Sequence, residues 1–112
     1  MPVNRRELLL DFVRQNPGDA FARYGLAMEY LRAGDNDQAL EEFGRLREQH
    51  PDYAAGYHQA GQLLIALDRL PEARATLEAG IAAAQRRGDR HASDEMRGLL
   101  DEIGPAAADS VL

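Results

Sequence analysis

"AGDNDQALEEFGRLREQHPD", residues 33–52, predicts a single solvated helix, because Glu, Arg and Gln are good helix formers and dominate its length. Gly34 comes near its start and Pro51 near its end, and both residue types are common at helix boundaries. Ala39 and Phe43 lie four residues apart and therefore share one face of that helix. This spacing of a small and a large apolar residue recurs elsewhere in the chain.

The recurrence has a period of 34 residues. Ala39 plus 34 is Ala73, and Phe43 plus 34 is Leu77. The other matched pairs are Phe43 with Leu9, Leu46 with Phe12, Pro51 with Pro17, Ala27 with Gly61, Leu26 with Ala60 and Tyr30 with Leu64. A fixed period of this length is typical of repeat proteins, in which each unit is a pair of packed helices. Small residues recur where the two helices must approach closely.

Helix boundary signals divide the sequence into six helices, and no stretch keeps the two-residue alternation of a strand. The predicted helices run from Asn4 to Gln15, Ala20 to Ala33, Asp37 to His50, Tyr53 to Leu67, Asp68 to Gly88 and His91 to Ile103. Asn4, Asp37, Asp52 and Asp68 are the predicted N-caps, because such side chains accept hydrogen bonds from the first free N–H groups. The short breaks between helices predict antiparallel neighbours.

These positions resemble the tetratricopeptide repeat, whose pattern is an aromatic residue, Leu-Gly or Leu-Ala and Tyr in the first helix, then Ala, an aromatic residue and Pro in the second. One unit supplies Leu26, Ala27, Tyr30, Gly34, Ala39, Phe43 and Pro51, and the next supplies Tyr57, Gly61, Leu64, Ala73 and Leu77. The sequence departs from the pattern at Arg23, Asp68 and Gln85, where an aromatic residue, Gly and Pro are usual. The resemblance implies an all-α fold, a right-handed stack of antiparallel helical hairpins.

The expected organisation is one tetratricopeptide-like domain over residues 1–104. It comprises a half repeat (3–17), two repeats (20–53 and 54–87) and a capping helix (90–103), and residues 105–112 form a flexible C-terminal tail. The capping helix carries an apolar stripe at helical spacing, Met96, Leu99, Leu100 and Ile103. Such a stripe predicts that the helix covers the end of the stack.

Composition excludes several classes of function. The net charge of −6 and the pI near 5.0 argue against nucleic-acid binding, which needs clustered cations. The chain contains no run of about 18 apolar residues, the length that would be needed to span a membrane. The N-terminal leucines do not form a signal peptide, because Asp11 and Arg14 interrupt the apolar run, and we expect a cytoplasmic protein. The absence of Cys excludes disulfides and thiolate metal sites.

The sequence predicts no enzyme. His50, His58 and His91 are far apart and form no i, i+3 or i+4 metal pair. The adjacent acids Glu41 and Glu42 point to different helix faces. No Gly-rich phosphate loop or nucleophile elbow occurs, so we expect no catalytic, cofactor or metal site.

The resemblance instead implies a scaffold or adaptor that binds a protein or peptide partner in a concave groove formed by the first helices of the repeats. The expected partner-binding residues are Phe21, Tyr24, Met28, Leu31, Arg32, His58, Gln62 and Ile65. The Met-bearing apolar stripe suits an adaptable peptide contact. In the alternative interpretation the stripe is ordinary core, covered by the first helix or by a second protomer. The Lys, Arg and Asn clamp with which some family members hold a C-terminal carboxylate is not present as a set.

The alternative function is a homo-oligomerisation module whose apolar stripe is buried by self-association, and the N-terminal helix offers further contacts for a homodimer. Leu8, Leu9 and Leu10 are consecutive, and at about 100° per residue they cannot all face one direction. Leu9 matches Phe43 and should pack with Phe12 on the second helix. Leu8 and Leu10 are therefore the expected dimer contacts of a homo-oligomerisation module.

Overall fold

A computed structural model describes residues 4–105 of the protein, and every regular element within that range is an α-helix. The helices are α1 (Arg5–Gln15), α2 (Ala20–Arg32), α3 (Asn36–Gln49), α4 (Ala54–Ala66), α5 (Leu70–Arg86) and α6 (Arg90–Ile103). The predicted all-α class is confirmed. Val3 and the tail residues 106–112 lie outside the described range. None of the six helices is long and apolar enough to cross a membrane.

The helices form two compact units. The first contains α1, α2 and α3 and ends at Pro51, and the second begins at Asp52 and contains α4, α5 and α6. Consecutive helices within each unit pack against each other, and α4 also contacts α6. The short connections make consecutive helices within a unit antiparallel.

Three helices begin at N-cap residues whose side chains accept a backbone hydrogen bond. Asn4, Asp19 and Asp89 accept hydrogen bonds from the backbone N–H groups of Arg6, Ala22 and Ala92 at 2.8, 2.9 and 3.1 Å. Each bond satisfies a donor that has no partner inside its helix. The predicted cap at Asn4 is therefore confirmed.

The predicted N-caps at Asp37 and Asp52 are wrong. Asp35 precedes α3, so Asp37 lies in the first turn, where its carboxylate faces the positive end of the helix dipole. Tyr53 precedes α4, and Asp52 instead accepts a 2.6 Å hydrogen bond from Nε of Arg86. A contact with a distant helix has replaced the local cap at Asp52.

Asp68 was also expected to cap a helix, and it instead terminates one. Its φ of +58° is the left-handed conformation that Gly34, one period earlier, adopts at +80°. The next N–H, that of Arg69, donates to the carbonyl of Leu64 at 2.9 Å and closes the end of α4. Arg69 is the N-cap residue of α5 and donates two hydrogen bonds to Glu72, which lower the pKa of that carboxyl.

The core of the second unit depends on two glycines at helix contacts. A Cβ at Gly61 in α4 would lie 2.5 Å from Cδ2 of Leu77, and a Cβ at Gly80 in α5 would lie 2.5 Å from both Cβ of Tyr57 and Sδ of Met96. Leu77 and Met96 are fully buried. The contact predicted at Gly61 is confirmed, and α6 covers α5 as its apolar stripe predicts.

The first unit combines an apolar core with a buried ion pair. The buried apolar residues include Leu26, Ala27, Ala39, Phe43 and Leu46. Arg23 in α2 donates from Nη1 to Oε1 of Glu42 in α3 at 2.6 Å, and Arg45 donates to the other carboxylate oxygen at 2.5 Å. Arg23 stands where the repeat pattern has an aromatic residue, so a charged pair joins α2 to α3 there.

Candidate functional site

An open groove runs between α1 and α2 in the first unit and is called the α1/α2 groove below. Its volume is about 410 Å³, which is within the range of ligand-binding clefts. Its lining residues are Arg5, Leu9 and Phe12 from α1, Asp19 before α2, and Phe21, Ala22, Tyr24, Gly25, Met28 and Arg32 from α2. Most of these side chains are apolar.

The groove is bordered by two of the three exposed large apolar side chains of residues 4–105. Phe21 is 77% exposed and Phe12 is 46% exposed. Phe21 lies in the first turn of α2, between the cap residue Asp19 and Ala22, whose N–H donates to that cap. The third exposed large hydrophobic residue within residues 4–105 is Leu8, which is 56% exposed and does not line the groove.

Close packing of α1 on α2 forms the floor of the groove. A Cβ at Gly25 would lie 3.6 Å from Cδ2 of Leu9, an ordinary van der Waals distance, so α1 and α2 are in contact at this point. The Arg6 guanidinium lies 5.6 Å from the centre of the Tyr30 ring and donates to Asp35 at 2.6 Å. These contacts hold α1 in position beside α2.

The two ends of the groove differ in charge. At one end, Arg5 Nε and Arg32 Nη1 lie 2.5 and 3.1 Å from the same oxygen of Glu29. Two guanidinium groups thus share one carboxylate, which leaves a surplus of one positive charge. At the other end, the carboxylate of Asp19 caps α2.

The wall formed by α2 is supported from behind by α3. The Tyr24 ring lies 6.4 Å from the Phe43 ring, and the Arg23–Glu42 pair ties the two helices together within the unit. The Arg23 side chain also approaches the carbonyl of Pro17 at 3.4 Å, which anchors the turn before α2.

The structure brings together only part of the predicted binding set. Phe21, Tyr24, Met28 and Arg32 all line the α1/α2 groove, whereas Leu31 is half-buried outside it. The remaining three predicted residues lie on α4 in the second unit: Gln62 is exposed, His58 is half-buried, and Ile65 is half-buried against the core.

Sequence reasoning missed the contribution of α1 to the groove. Arg5, Leu9 and Phe12 follow the i, i+4, i+7 spacing of one helix face, which was the available signal. Phe12 was expected to pack on α2, and it lines the groove together with residues of α2. It is nevertheless 46% exposed, in contrast to 1% for Leu46 one period later.

The predicted dimer contacts differ in exposure. Leu8 is 56% exposed, whereas Leu10 is half-buried. Of the two, Leu8 has the larger apolar surface available for a contact with another molecule.

Two of the three histidines make single polar contacts within the protein. Nε2 of His50 lies 2.9 Å from the carbonyl oxygen of Gly18, and Nε2 of His91 lies 2.9 Å from Glu95 one turn along α6. No group of three or more His, Asp and Glu side chains in residues 4–105 is arranged to hold a metal ion. The α1/α2 groove therefore offers apolar contacts along its length and charged groups at its two ends.

The sequence profile of the tetratricopeptide repeat family matches residues 30–93, more than half of the chain. A TPR repeat-containing protein of Pseudomonas aeruginosa is 39% identical over 88 residues, which are 79% of this chain and 84% of that protein. The chain belongs to the tetratricopeptide repeat family, a fold that generally serves as a protein–protein interaction module.

Solved structures agree with this assignment. The solution structure of a tetratricopeptide repeat domain protein from Salinibacter ruber is similar with a TM-score of 0.69 and 36% identity, over 73% of this chain and 83% of that one. A protein from Bordetella parapertussis gives a TM-score of 0.78 at 25% identity, over 97% and 95% of the two chains. The TPR2B domain of yeast Sti1, solved in a pHsp70 complex, gives 0.78 over 84% and 75%, and at 17% identity it shows the fold alone.

Proposed function

We propose that the protein is a scaffold or adaptor that binds a peptide or helix of a partner protein on the first helices of its repeats, α2 in one unit and α4 in the other. The observation that carries this proposal is the exposed apolar surface of α2. Phe21 is 77% exposed and borders the same groove as Tyr24 and Met28. A contiguous exposed apolar surface of this kind marks an interaction site.

The two helices offer different chemistry to a partner. On α2, aromatic rings and a flexible thioether adapt to apolar side chains of varied shape. On α4, the exposed Gln62 amide and the half-buried His58 ring add hydrogen-bonding groups. This combination supports an apolar anchor on the first unit and polar contacts on the second.

We assign no catalytic step, cofactor or metal to this surface, and we place its function in the cytoplasm. The acidic chain, with a net charge of −6, supports a protein partner over nucleic acid. The α1/α2 groove carries no paired nucleophile and base, so the described geometry supports binding rather than chemistry.

Affinity capture from a lysate of the source cells tests the proposal. We expect Phe21→Glu to abolish capture of the partner, because a carboxylate would have to be desolvated within an apolar contact. The far-UV circular dichroism should not change, since the wild-type side chain is exposed. Leu8→Glu is the matched control: it places the same charge on an exposed apolar position outside the groove. Capture that survives Phe21→Glu undiminished would contradict the proposal.

A second candidate function is homo-oligomerisation through α1. The 56% exposure of Leu8 favours it, because burying such a side chain against a second copy contributes about 1.5–3 kcal/mol. The two variants separate the candidates. Self-association should respond to Leu8→Glu, and partner binding should respond to Phe21→Glu.

A further inference from the structure

The side of α1 that faces away from α2 carries two adjacent apolar side chains. Exposure along α1 follows the period of a helix: Val13 is buried, Leu9 and Leu10 are half-buried, and Leu8 and Phe12 are exposed at 56% and 46%. Because Leu8 and Phe12 are four residues apart, they are neighbours on the helix surface. A leucine therefore occupies the middle of the exposed side of α1.

This exposed side is called the α1 solvent face below. Its other members are all exposed and lie three, four or seven residues from Leu8: Asn4, Arg5, Asp11, Phe12 and Gln15. Residues at these spacings share one side of a helix. Leu10 is two residues from Leu8 and therefore points to another side. Of the two expected dimer contacts, the α1 solvent face includes Leu8 and excludes Leu10.

The α1 solvent face carries opposite charges on either side of Leu8. Arg5 is three residues before Leu8, and Asp11 is three residues after it. The Arg5 side chain is 72% exposed and the Asp11 side chain is 68% exposed. Arg5 shares the Glu29 carboxylate with another arginine, and Asp11 lies 3.7 Å from Arg14. Both groups are therefore accessible to a further partner of opposite charge.

A two-fold axis beside Leu8 would bring these charges together. Two α1 helices related by such an axis run antiparallel, so a residue before Leu8 in one copy lies level with the residue equally far after Leu8 in the other. Arg5 of each copy is then level with Asp11 of the other, and the two Leu8 side chains meet. Phe12 lies beside the Arg5 side chain of the other copy, which cation–π attraction favours. In a parallel pair, each charge would instead be level with its own kind.

We propose, building on the second candidate function above, that the α1 solvent face binds a second copy of the chain, with the two α1 helices antiparallel and Leu8 at the two-fold axis. The contact is small, because α1 has 11 residues and is about 16 Å long. Contacts of this size belong to weak, transient complexes, so the dimer forms in a concentration-dependent manner. Since Arg5 and Phe12 also line the α1/α2 groove, the second copy lies at the edge of that groove.

Charge complementarity selects a second copy as the occupant of this face. One copy supplies the acid that meets Arg5 of the other and also the base that meets its Asp11, so the pattern matches itself without any other protein. The net charge of −6 repels a second copy overall, and the two contacts between Arg5 and Asp11 oppose that repulsion at the interface. Such complementary charges fix the register of an interface.

Mixing two charge-reversed variants tests the arrangement. Arg5→Glu places two carboxylates opposite each other in the dimer, and Asp11→Arg does the same with two guanidinium groups. Each variant alone should therefore associate about tenfold more weakly than the wild type, or worse. In an equimolar mixture, every acid of an unlike pair again meets an arginine. We expect the mixture to associate as the wild type does, with the mass from light scattering rising from 12.4 kDa toward twice that value.

Two variants on other surfaces match these changes in charge. Arg14→Glu lies on α1 outside the α1 solvent face, and Glu48→Arg lies at an exposed position of α3. They change the net charge by the same amounts as Arg5→Glu and Asp11→Arg, so they reproduce any effect of overall charge. Mixing them should bring no comparable gain in mass.

Circular dichroism verifies that each variant keeps its helices. Should Arg5→Glu lose helix because its carboxylate faces Glu29, Arg5→Gln takes its place. The neutral variant should weaken association less, and mixing it with Asp11→Arg should recover one of the two charge contacts.

Three results would overturn the proposal. A wild type that associates, with no gain on mixing Arg5→Glu and Asp11→Arg, would exclude this register and leave the second candidate function standing. An equal gain for the control mixture would assign the effect to overall charge. A wild type that stays at 12.4 kDa at every concentration would remove the dimer and leave the α1 solvent face to a different protein, whereas capture of a partner through Phe21 would be unaffected.

Discussion

At the scale of single residues, two kinds of buried contact determine the packing of the units. In the second unit, Gly61 and Gly80 allow helices to approach to a distance that a Cβ would prevent. In the first unit, Arg23 and Glu42 replace an apolar contact with a buried ion pair, both side chains being under 10% exposed. Each contact predicts a distinct response to mutation.

Gly61→Ala should destabilise the protein although alanine is the better helix former. The added Cβ would lie 2.5 Å from Cδ2 and 2.7 Å from Cγ of Leu77, which is fully buried among other core side chains. Overpacking of this kind costs about 1–3 kcal/mol. Gly98→Ala in α6 is the control, since no atom lies within 4 Å of its Cβ, and it should stabilise by about 0.5–1 kcal/mol. Urea denaturation of both variants measures the difference, and equal effects would contradict the contact.

The Arg23–Glu42 pair predicts an asymmetry between its two members. Glu42 also accepts from Arg45, whereas Arg23 has one carboxylate partner, a 3.4 Å approach to Pro17 and a buried Nε without a hydrogen bond. Glu42→Gln should therefore cost about 3–5 kcal/mol, the usual penalty for removing one member of a buried pair.

Arg23→Met should cost less than Glu42→Gln, because methionine keeps the alkyl packing and Glu42 retains Arg45 as a partner. Free energies of unfolding from urea titrations provide the comparison. A larger loss for Arg23→Met would show that Arg45 alone does not compensate the buried Glu42 carboxylate.

At the scale of helices, α1 and α5 occupy equivalent positions two repeat periods apart, but other helices cover them to different extents. Helix α5 is enclosed because α4 and α6 both pack on it, whereas one side of α1 opens into the α1/α2 groove. The same side chain should therefore contribute differently in the two units.

Two methionines separated by two repeat periods test this difference. Met96→Ala removes a fully buried side chain beside Gly80 and should cost about 2–5 kcal/mol. Met28→Ala changes a half-buried side chain that lines the groove, and it should cost clearly less. The measurement is the urea midpoint of each variant. Similar losses would mean that the groove is as closed as the second unit's core.

At the scale of the whole molecule, charge opposes association while the exposed leucine of α1 favours it. The net charge of −6 repels a second copy, and salt screens this repulsion. If α1 mediates self-association, the mass measured by light scattering should rise above 12.4 kDa with protein concentration and rise further with salt.

Leu8→Glu should hold the mass at that of the monomer, and Gln38→Glu, an exposed change of the same charge on α3, should not. A mass that stays at 12.4 kDa at every concentration, for the wild type as for Leu8→Glu, would remove the second candidate function.

The sequence by itself determined the number of helices in residues 4–105, their approximate limits and the close contact at Gly61. These features depend on spacing and turn chemistry within a few residues, and the period of 34 relates the units to one another. The same local rules correctly placed the Asn4 cap and the apolar stripe of α6.

Tertiary structure alone decided which side chains are paired or buried and which remain exposed for contact with another molecule. Asp52 pairs with Arg86 instead of capping α4, Arg23 finds its carboxylate nineteen positions away in Glu42, and Phe12 stays exposed while its counterpart Leu46 is buried. Local sequence cannot settle these outcomes, because each depends on whether a helix distant along the chain covers the position. The groove between α1 and α2 is open for that physical reason: its walls carry core-type residues, and no helix of residues 4–105 covers them.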